Sequence, residues 1–200
     1  MATAISAKDV AALRSRTGAG MMDCKRVLEQ TSGDVEKAID LLRTKGIAKA
    51  EKRARRGTSE GVIGSYVHFN GRVGVLIELN CETDFVARTD DFQNLARDIA
   101  LHVASANPIE VSTADVPADV VQREKAIFEA QVAESGKPEQ VREKIVQGKL
   151  KKFYKERVLL EQPFVKDDKL VVGDLVKSLS GKVGENIIVR RFARLEVGAE

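Results

Sequence analysis

The chain has no tryptophan and, among 200 residues, only two tyrosines, two histidines, two cysteines and four prolines. Cys24 and Cys81 are too few for a disulfide framework and fit a reducing compartment. With His68 and His102 they are the only soft or imidazole ligands, and their scattered spacing carries no metal-site signature. No apolar run approaches the ~20 residues that span a bilayer. Lys8 and Asp9 interrupt the N-terminal stretch where an export signal would be apolar. The expectation is a cytoplasmic protein with no membrane segment, no metal and no cofactor.

What is present is globular. A hydrophobic content of 43% suits one medium domain or two small ones. The formal charge of +3 is unevenly distributed: residues 1–42 carry six basic and six acidic side chains, whereas residues 43–57 carry seven basic residues against Glu51. Such a distribution suits neither a DNA-wrapping protein nor an acidic tail.

Residues 5–46 read as three short helices. Ser6 with Asp9 forms a capping-box pattern, Val10 and Leu13 give one apolar face, and Thr17 and Gly18 stop the first helix. Cys24, Val27 and Leu28 mark the second. Val35, Ala38, Ile39 and Leu42 repeat at helical spacing until Gly46. Helices this short must pack on one another or on a partner. Residues 47–57 then read as a basic, helix-favouring linker ending at Gly57.

Beyond the linker the period changes to two. Ile63, Ser65, Val67 and Phe69 alternate with Val62, Gly64, Tyr66 and His68, and Val73, Val75, Ile77, Leu79 and Cys81 line one face of a return strand. Asn70-Gly71 between them predicts a hairpin over 61–82 with a type I′ turn, in which both central residues take positive φ. From Phe92, Leu95, Ala96, Ile99, Ala100 and Val103 form a helical stripe capped by Thr89 or Asp90. Pro117 opens a helix to about Glu134, and Pro138 opens another containing Val141, Ile145, Phe153 and Tyr154. A short helix with Leu175, Val176 and Leu179 precedes a final strand over 187–197. The fold class is α+β: an N-terminal three-helix domain (1–46), the linker (47–57) and a core (58–200) with a small antiparallel sheet packed by helices.

Several segments are candidate sites. Thr17-Gly18-Ala19-Gly20 looks like a phosphate loop, but it lacks the following Lys and Ser/Thr and the preceding strand, so a helix–helix turn is the better account. Met21 and Met22 diverge by ~100° around their helix and cannot both enter one small core. Either one is buried and one idle, or both form an adaptable contact surface. Cys81 with His68 could suggest a nucleophile and its base, but Cys81 lies on an apolar strand face, where a thiol behaves as a small hydrophobe. Lys49, Lys52, Arg53, Arg55 and Arg56 read as a solvated helical linker or as a phosphate-contacting run. In Thr83-Asp84-Phe85-Val86, two apolar residues occupy a connection that is ordinarily polar. Phe85 and Val86 either tuck beneath the next helix or project as an apolar wedge beside the Asp84 carboxylate; physics alone leaves both readings open.

Six segments together resemble the elongation factor Ts family. They are R-x-R-T-G-A-G-M-M-D-C-K (Arg14–Lys25), G-D-V-E-K-A-I-D-L-L-R (Gly33–Arg43), N-C-E-T-D-F-V-A-R (Asn80–Arg88), G-K-L-K-K-F-Y (Gly148–Tyr154), E-Q-P-F-V (Glu161–Val165) and R-R-F-A-R-L-E-V-G (Arg190–Gly198). They occur in family order and span nearly the whole chain. The resemblance implies a guanine-nucleotide exchange factor for elongation factor Tu, which catalyses no covalent chemistry. It implies that the first 46 residues are a ubiquitin-associated-type docking domain, with Arg14, Thr17, Gly18, Ala19, Gly20, Met21 and Met22 near the contact. It further implies that Thr83, Asp84, Phe85 and Val86 dislocate Mg²⁺ from the partner GTPase, Phe85 wedging between partner helices and Asp84 lying near the ion. Longer members carry two related core halves where this chain has one, which implies a homodimer. The competing readings are RNA or ribosome binding through residues 43–57, and an adaptor whose three-helix domain is the only binding part.

Overall fold

The protein is described by a computed structural model covering residues 5–133 and 138–199. In chain order its elements are α1 (Ala7–Thr17), α2 (Met21–Gln30), α3 (Val35–Arg53), β1 (Glu60–Val67), β2 (Val73–Cys81), α4 (Asp84–Ala87), α5 (Asp90–Ala106), α6 (Ala118–Ala133), α7 (Glu139–Arg157), a 3₁₀ turn (Leu159–Glu161), β3 (Pro163–Phe164), β4 (Asp167–Val171), α8 (Val172–Val183) and β5 (Ile188–Glu196). Helices combined with a small antiparallel sheet make the fold α+β. The chain divides into two compact units, each assembled from separate segments. The first comprises Met1–Gly61, Asn80–Phe92 and Val176–Ile188, and the second Val62–Leu79, Gln93–Leu175 and Val189–Glu200.

In the first unit, α1 begins with the capping box read from the sequence: the Asp9 N–H donates to Ser6 Oγ (3.1 Å) and the Ser6 N–H to Asp9 Oδ2 (3.2 Å). Gly18 ends the helix at φ +66°, a left-handed conformation natural to glycine, and returns its N–H to the Arg14 carbonyl. The three helices bury Val10, Leu13, Cys24, Val27, Leu28 and Ala38 against one another, which supplies the stability that 10- or 11-residue helices lack alone. The expected stop at Gly46 does not occur. Residues 47–53 of the expected linker continue α3 to Arg53. A Cβ on Gly181 of α8 would collide with the backbone of Gly46, so Gly46 marks a close helix crossing inside α3 and not its end.

The second unit is built on a three-stranded sheet in the order β1–β2–β5. Val75, Ile77 and Leu79 are buried on one face of β2, as their alternation predicts, and Gly64 of β1 lies so close to Ala96 of α5 that a Cβ there would clash. The hairpin forms, but its turn differs from the expected type I′. Of Asn70 and Gly71, only Gly71 has positive φ (+68°). The Gly71 N–H donates to the His68 carbonyl (2.7 Å), and the Asn70 side chain accepts from the Arg72 N–H (3.0 Å). The loop therefore runs from His68 to Val73, and Asn70 uses its side-chain carbonyl where a type I′ turn would need it left-handed. Thr89, one of the two expected caps, accepts from the Phe92 N–H at the start of α5. α6 and α7 begin after Pro117 and Pro138 as read; the expected end at Glu134 lies outside the described residues. The β3–β4 pair and the 3₁₀ turn had no counterpart in the sequence reading.

Candidate functional site

Thr83 precedes the single-turn α4 (Asp84–Ala87), which carries Asp84, Phe85 and Val86 shortly after β2. One helical turn separates neighbouring side chains by ~100°, so the two apolar residues cannot share a direction. Val86 and Ala87 turn inward and are buried, whereas Phe85 is 81% exposed. The tucked arrangement is thus taken by Val86 and the projecting one by Phe85. Asp84 pairs with Arg88 at 3.0 Å; both are substantially exposed, so this pair contributes little stability.

The backbone beneath Phe85 is held from outside its own segment. The Glu185 carboxylate accepts the Glu82 N–H (3.1 Å), the Thr83 N–H (3.1 Å) and the Thr83 hydroxyl (2.6 Å). Reciprocally, Glu82 Oε1 accepts the Asn186 N–H at 2.7 Å. Buried Asn186 donates its side-chain amide to the Arg56 carbonyl (2.8 Å) and the Ala54 carbonyl (3.4 Å) just beyond α3, while Arg56 approaches Glu82 at 3.4 Å. Below this clasp the Cys81 thiol donates to the Thr83 carbonyl. Burial, and after it the Glu185 charge, pushes the Cys81 thiol up to about 11, so it remains protonated at neutral pH and does not supply a thiolate nucleophile.

The other expected site region, Arg14 and Thr17–Met22, comprises the end of α1, the turn over residues 18–20 and the start of α2 in the same unit. The Thr17 hydroxyl donates to the Leu13 carbonyl (2.8 Å) and accepts the Ala19 N–H (3.3 Å), which makes the segment a self-closed helix–helix turn. Neither methionine is buried: Met21 is 46% and Met22 67% exposed. The arrangement with one buried and one idle methionine is therefore not the one adopted, and two thioethers are free for contact. Lys182 of α8 lies against Gly18, where a Cβ would strike its side chain, and its ammonium reaches Asp91 at the start of α5 (2.7 Å). The two expected regions thus share one support, the C-terminal end of α8, which carries Lys182 and leads directly to Glu185. Sequence reasoning missed both residues. The readable signal was Gly184-Glu185-Asn186, a glycine with φ +84° followed by two hydrogen-bonding side chains between a helix and a strand.

The basic run is partly neutralised. Lys49 pairs with Asp23 (2.9 Å), which holds the Asp23 carboxyl below its ordinary value, and Arg56 pairs with Glu82. Among the described residues no cluster of His, Cys, Asp and Glu could hold a metal ion, and no helix is long and apolar enough to cross a membrane.

Comparison with known proteins gives one consistent result. The family described as Elongation factor TS matches residues 2–199. The Elongation factor Ts of Solidesulfovibrio magneticus is 54% identical over 198 residues, 99% of each chain. That of Syntrophomonas wolfei is 58% identical over 97% of this chain and 91% of its own, and that of Thermosipho melanesiensis 57% identical over 97% and 99%.

Proposed function

The chain belongs to the elongation factor Ts family of translation elongation factors, and from that premise we propose that it is a cytoplasmic guanine-nucleotide exchange factor for elongation factor Tu. The observation that carries the reading is Phe85, a large apolar side chain 81% exposed on a backbone clamped by Glu185. An exposed phenylalanine is common, but one on a clamped single turn is suited to entering a partner as a wedge.

The factor forms no covalent bond. A GTPase holds its nucleotide partly through Mg²⁺ bridging phosphate oxygens, so displacing the helices behind that ion weakens the whole site. Phe85 supplies the displacement. Asp84, after exchanging Arg88 for water, presents its charge to the ion's surroundings, while Thr83 and Val86 anchor the turn on either side. A ~10⁴-fold change in nucleotide affinity requires ~5.5 kcal/mol of differential binding between the two states of the partner. Burying one phenylalanine contributes only ~1.5–3 kcal/mol. The remainder must come from other contacts, and Met21 and Met22, with Arg14 and the Thr17–Gly20 turn, are the apolar and flanking groups available in the same unit. Residues 1–46 then serve as the ubiquitin-associated-type docking module. Reciprocity follows from linkage: GDP or GTP weakens the factor's hold as much as the factor weakens theirs.

The outer face of the sheet supports pairing with a second copy. Ile63, Val67, Leu76 and Leu195 are exposed there, opposite the face that packs on α5. A chain with one core half could cover this face with its own duplicate in a closed twofold arrangement.

The test is release of labelled GDP from purified elongation factor Tu with and without this protein. Acceleration in proportion to added factor is the expected result, and no acceleration at saturating factor defeats the proposal. Nucleotide-independent retention of RNA would instead favour the reading through residues 43–57, whose weakness is that Lys49 and Arg56 already have carboxylate partners.

A further inference from the structure

We infer that Glu185 and Asn186, neither of them in the expected contact segments, are positioning residues for the wedge: the reciprocal clasp between residues 82–83 and 185–186 fixes the backbone from which Phe85 projects. The inference rests on the exchange-factor reading and deepens it.

The geometry is of a kind that orients rather than merely stabilises. Three donors converge on the single Glu185 carboxylate, two backbone N–H groups and one hydroxyl at 2.6–3.1 Å. Hydrogen bonds to an ionised acceptor are stronger than neutral ones, and three on one group fix direction as well as distance. Thr83 precedes the first residue of α4 and its hydroxyl makes no capping bond within that helix, so the usual local use of a threonine at this position is given up in favour of Glu185. Glu185 is itself held: its carbonyl accepts the Ser180 hydroxyl (2.5 Å), and its neighbour Asn186 is 5% exposed with both its N–H and its side-chain amide engaged. The clasp thus joins three points of one unit: the residues after α3, the start of α4 and the end of α8. Three residues earlier on α8, Lys182 packs on Gly18 of the docking turn. One rigid helix end therefore sets the position of both regions through which a partner would be engaged.

A wedge that must enter between helices loses its effect when its base swings, even if its surface is unchanged, because the cost of ordering it then falls on the step in which it enters the already docked partner. Loosening the clasp should accordingly lower the exchange rate at saturation while leaving docking intact.

The experiment compares Glu185→Gln and Thr83→Val, a near-isosteric removal of the hydroxyl, with the parent protein in GDP-release titrations against elongation factor Tu. A fall of about three- to tenfold in the maximal rate, with the half-maximal concentration within about twofold, is expected. Combined with Phe85→Ala, each variant should add little further loss, since a wedge that is absent cannot be mispositioned. Full additivity, or a raised half-maximal concentration at an unchanged maximal rate, overturns the inference. Hydrogen exchange of the 82–88 amides is the independent readout. Faster exchange in Glu185→Gln supports the clasp whatever the activity, and unchanged protection overturns it. Should Phe85→Ala itself leave GDP release untouched, the wedge reading fails, and the amide protection still reports separately on the clasp.

Discussion

Two short segments of this chain are nearly the same on paper and opposite in space. Thr83-Asp84-Phe85-Val86 exposes its phenylalanine and buries its valine; Gln162-Pro163-Phe164-Val165 buries Phe164 and leaves Val165 45% exposed. The first closes into a helical turn and the second begins a strand, whose period of two sends Pro163 and Val165 outward and Phe164 inward. Each is organised by a side chain distant in sequence. Glu185 gathers donors at the first. At the second, His102 Nδ1 accepts the Val165 N–H (3.2 Å), its Nε2 faces Gln162 Oε1 (3.0 Å), and its ring lies 5.9 Å from that of Phe164. The comparison separates two uses of one residue type: Phe164 completes a core, whereas Phe85 is supported without being covered.

The largest effect that would test this contrast is expected at the buried member. Phe164→Ala should destabilise the protein by ~3–5 kcal/mol, seen as a lower denaturation midpoint. A loss below ~1 kcal/mol would remove the distinction from that side. Phe85→Ala comes next. Stimulated GDP release should slow by ~10-fold or more, the kinetic equivalent of losing ~1.5–3 kcal/mol of burial in the partner, with thermal unfolding nearly unchanged. Destabilisation beyond ~2 kcal/mol would make Phe85 a core residue.

The third expected effect concerns His102, the support of the second segment. Burial lowers the His102 value below its ordinary 6.5, with the Gln162 contact opposing. The unfolded chain then binds the proton more readily, so stability should be full above the unfolded value and fall as pH drops through and below it. Protonation also turns Nδ1 from acceptor to donor and opposes the Val165 N–H. Unfolding midpoints measured from pH 8 to 5 should decline for the parent and less steeply for His102→Asn; parallel profiles would detach His102 from the trend. The smallest effect is expected at Asp84→Asn. Stimulated release should fall about two- to threefold, less when Mg²⁺ is already chelated. Equal loss in both conditions would assign Asp84 to the structure of the turn.

Much of the fold could be read from local rules. Ser6 and Asp9 announced a capping box, Thr17 and Gly18 the stop of the first helix, and alternation from Val73 to Cys81 a half-buried strand, because each signal involves neighbours whose geometry the backbone already constrains. Reading failed where a residue's role depended on a distant segment. Gly46 looked like a helix stop and is a crossing point with Gly181. Asn70-Gly71 carried the hairpin signal, but the turn took the form in which only glycine is left-handed. Met21 and Met22 could be divided by angle into two directions, yet angle alone did not say that neither direction leads to the core.

The sequence by itself determined both ends of α1, the strand faces, the hairpin, the α+β class and, through six ordered segments, the family resemblance. Only the tertiary structure decided which way Phe85 points, that Val86 rather than Phe85 is tucked in, and that Glu185 and Asn186 hold the turn from about a hundred residues away. The physical reason is the range of the forces involved. Propensity, capping and period act over a few residues, whereas whether an apolar side chain is covered, or a carboxylate finds its donors, depends on which distant segments the folded chain brings beside it.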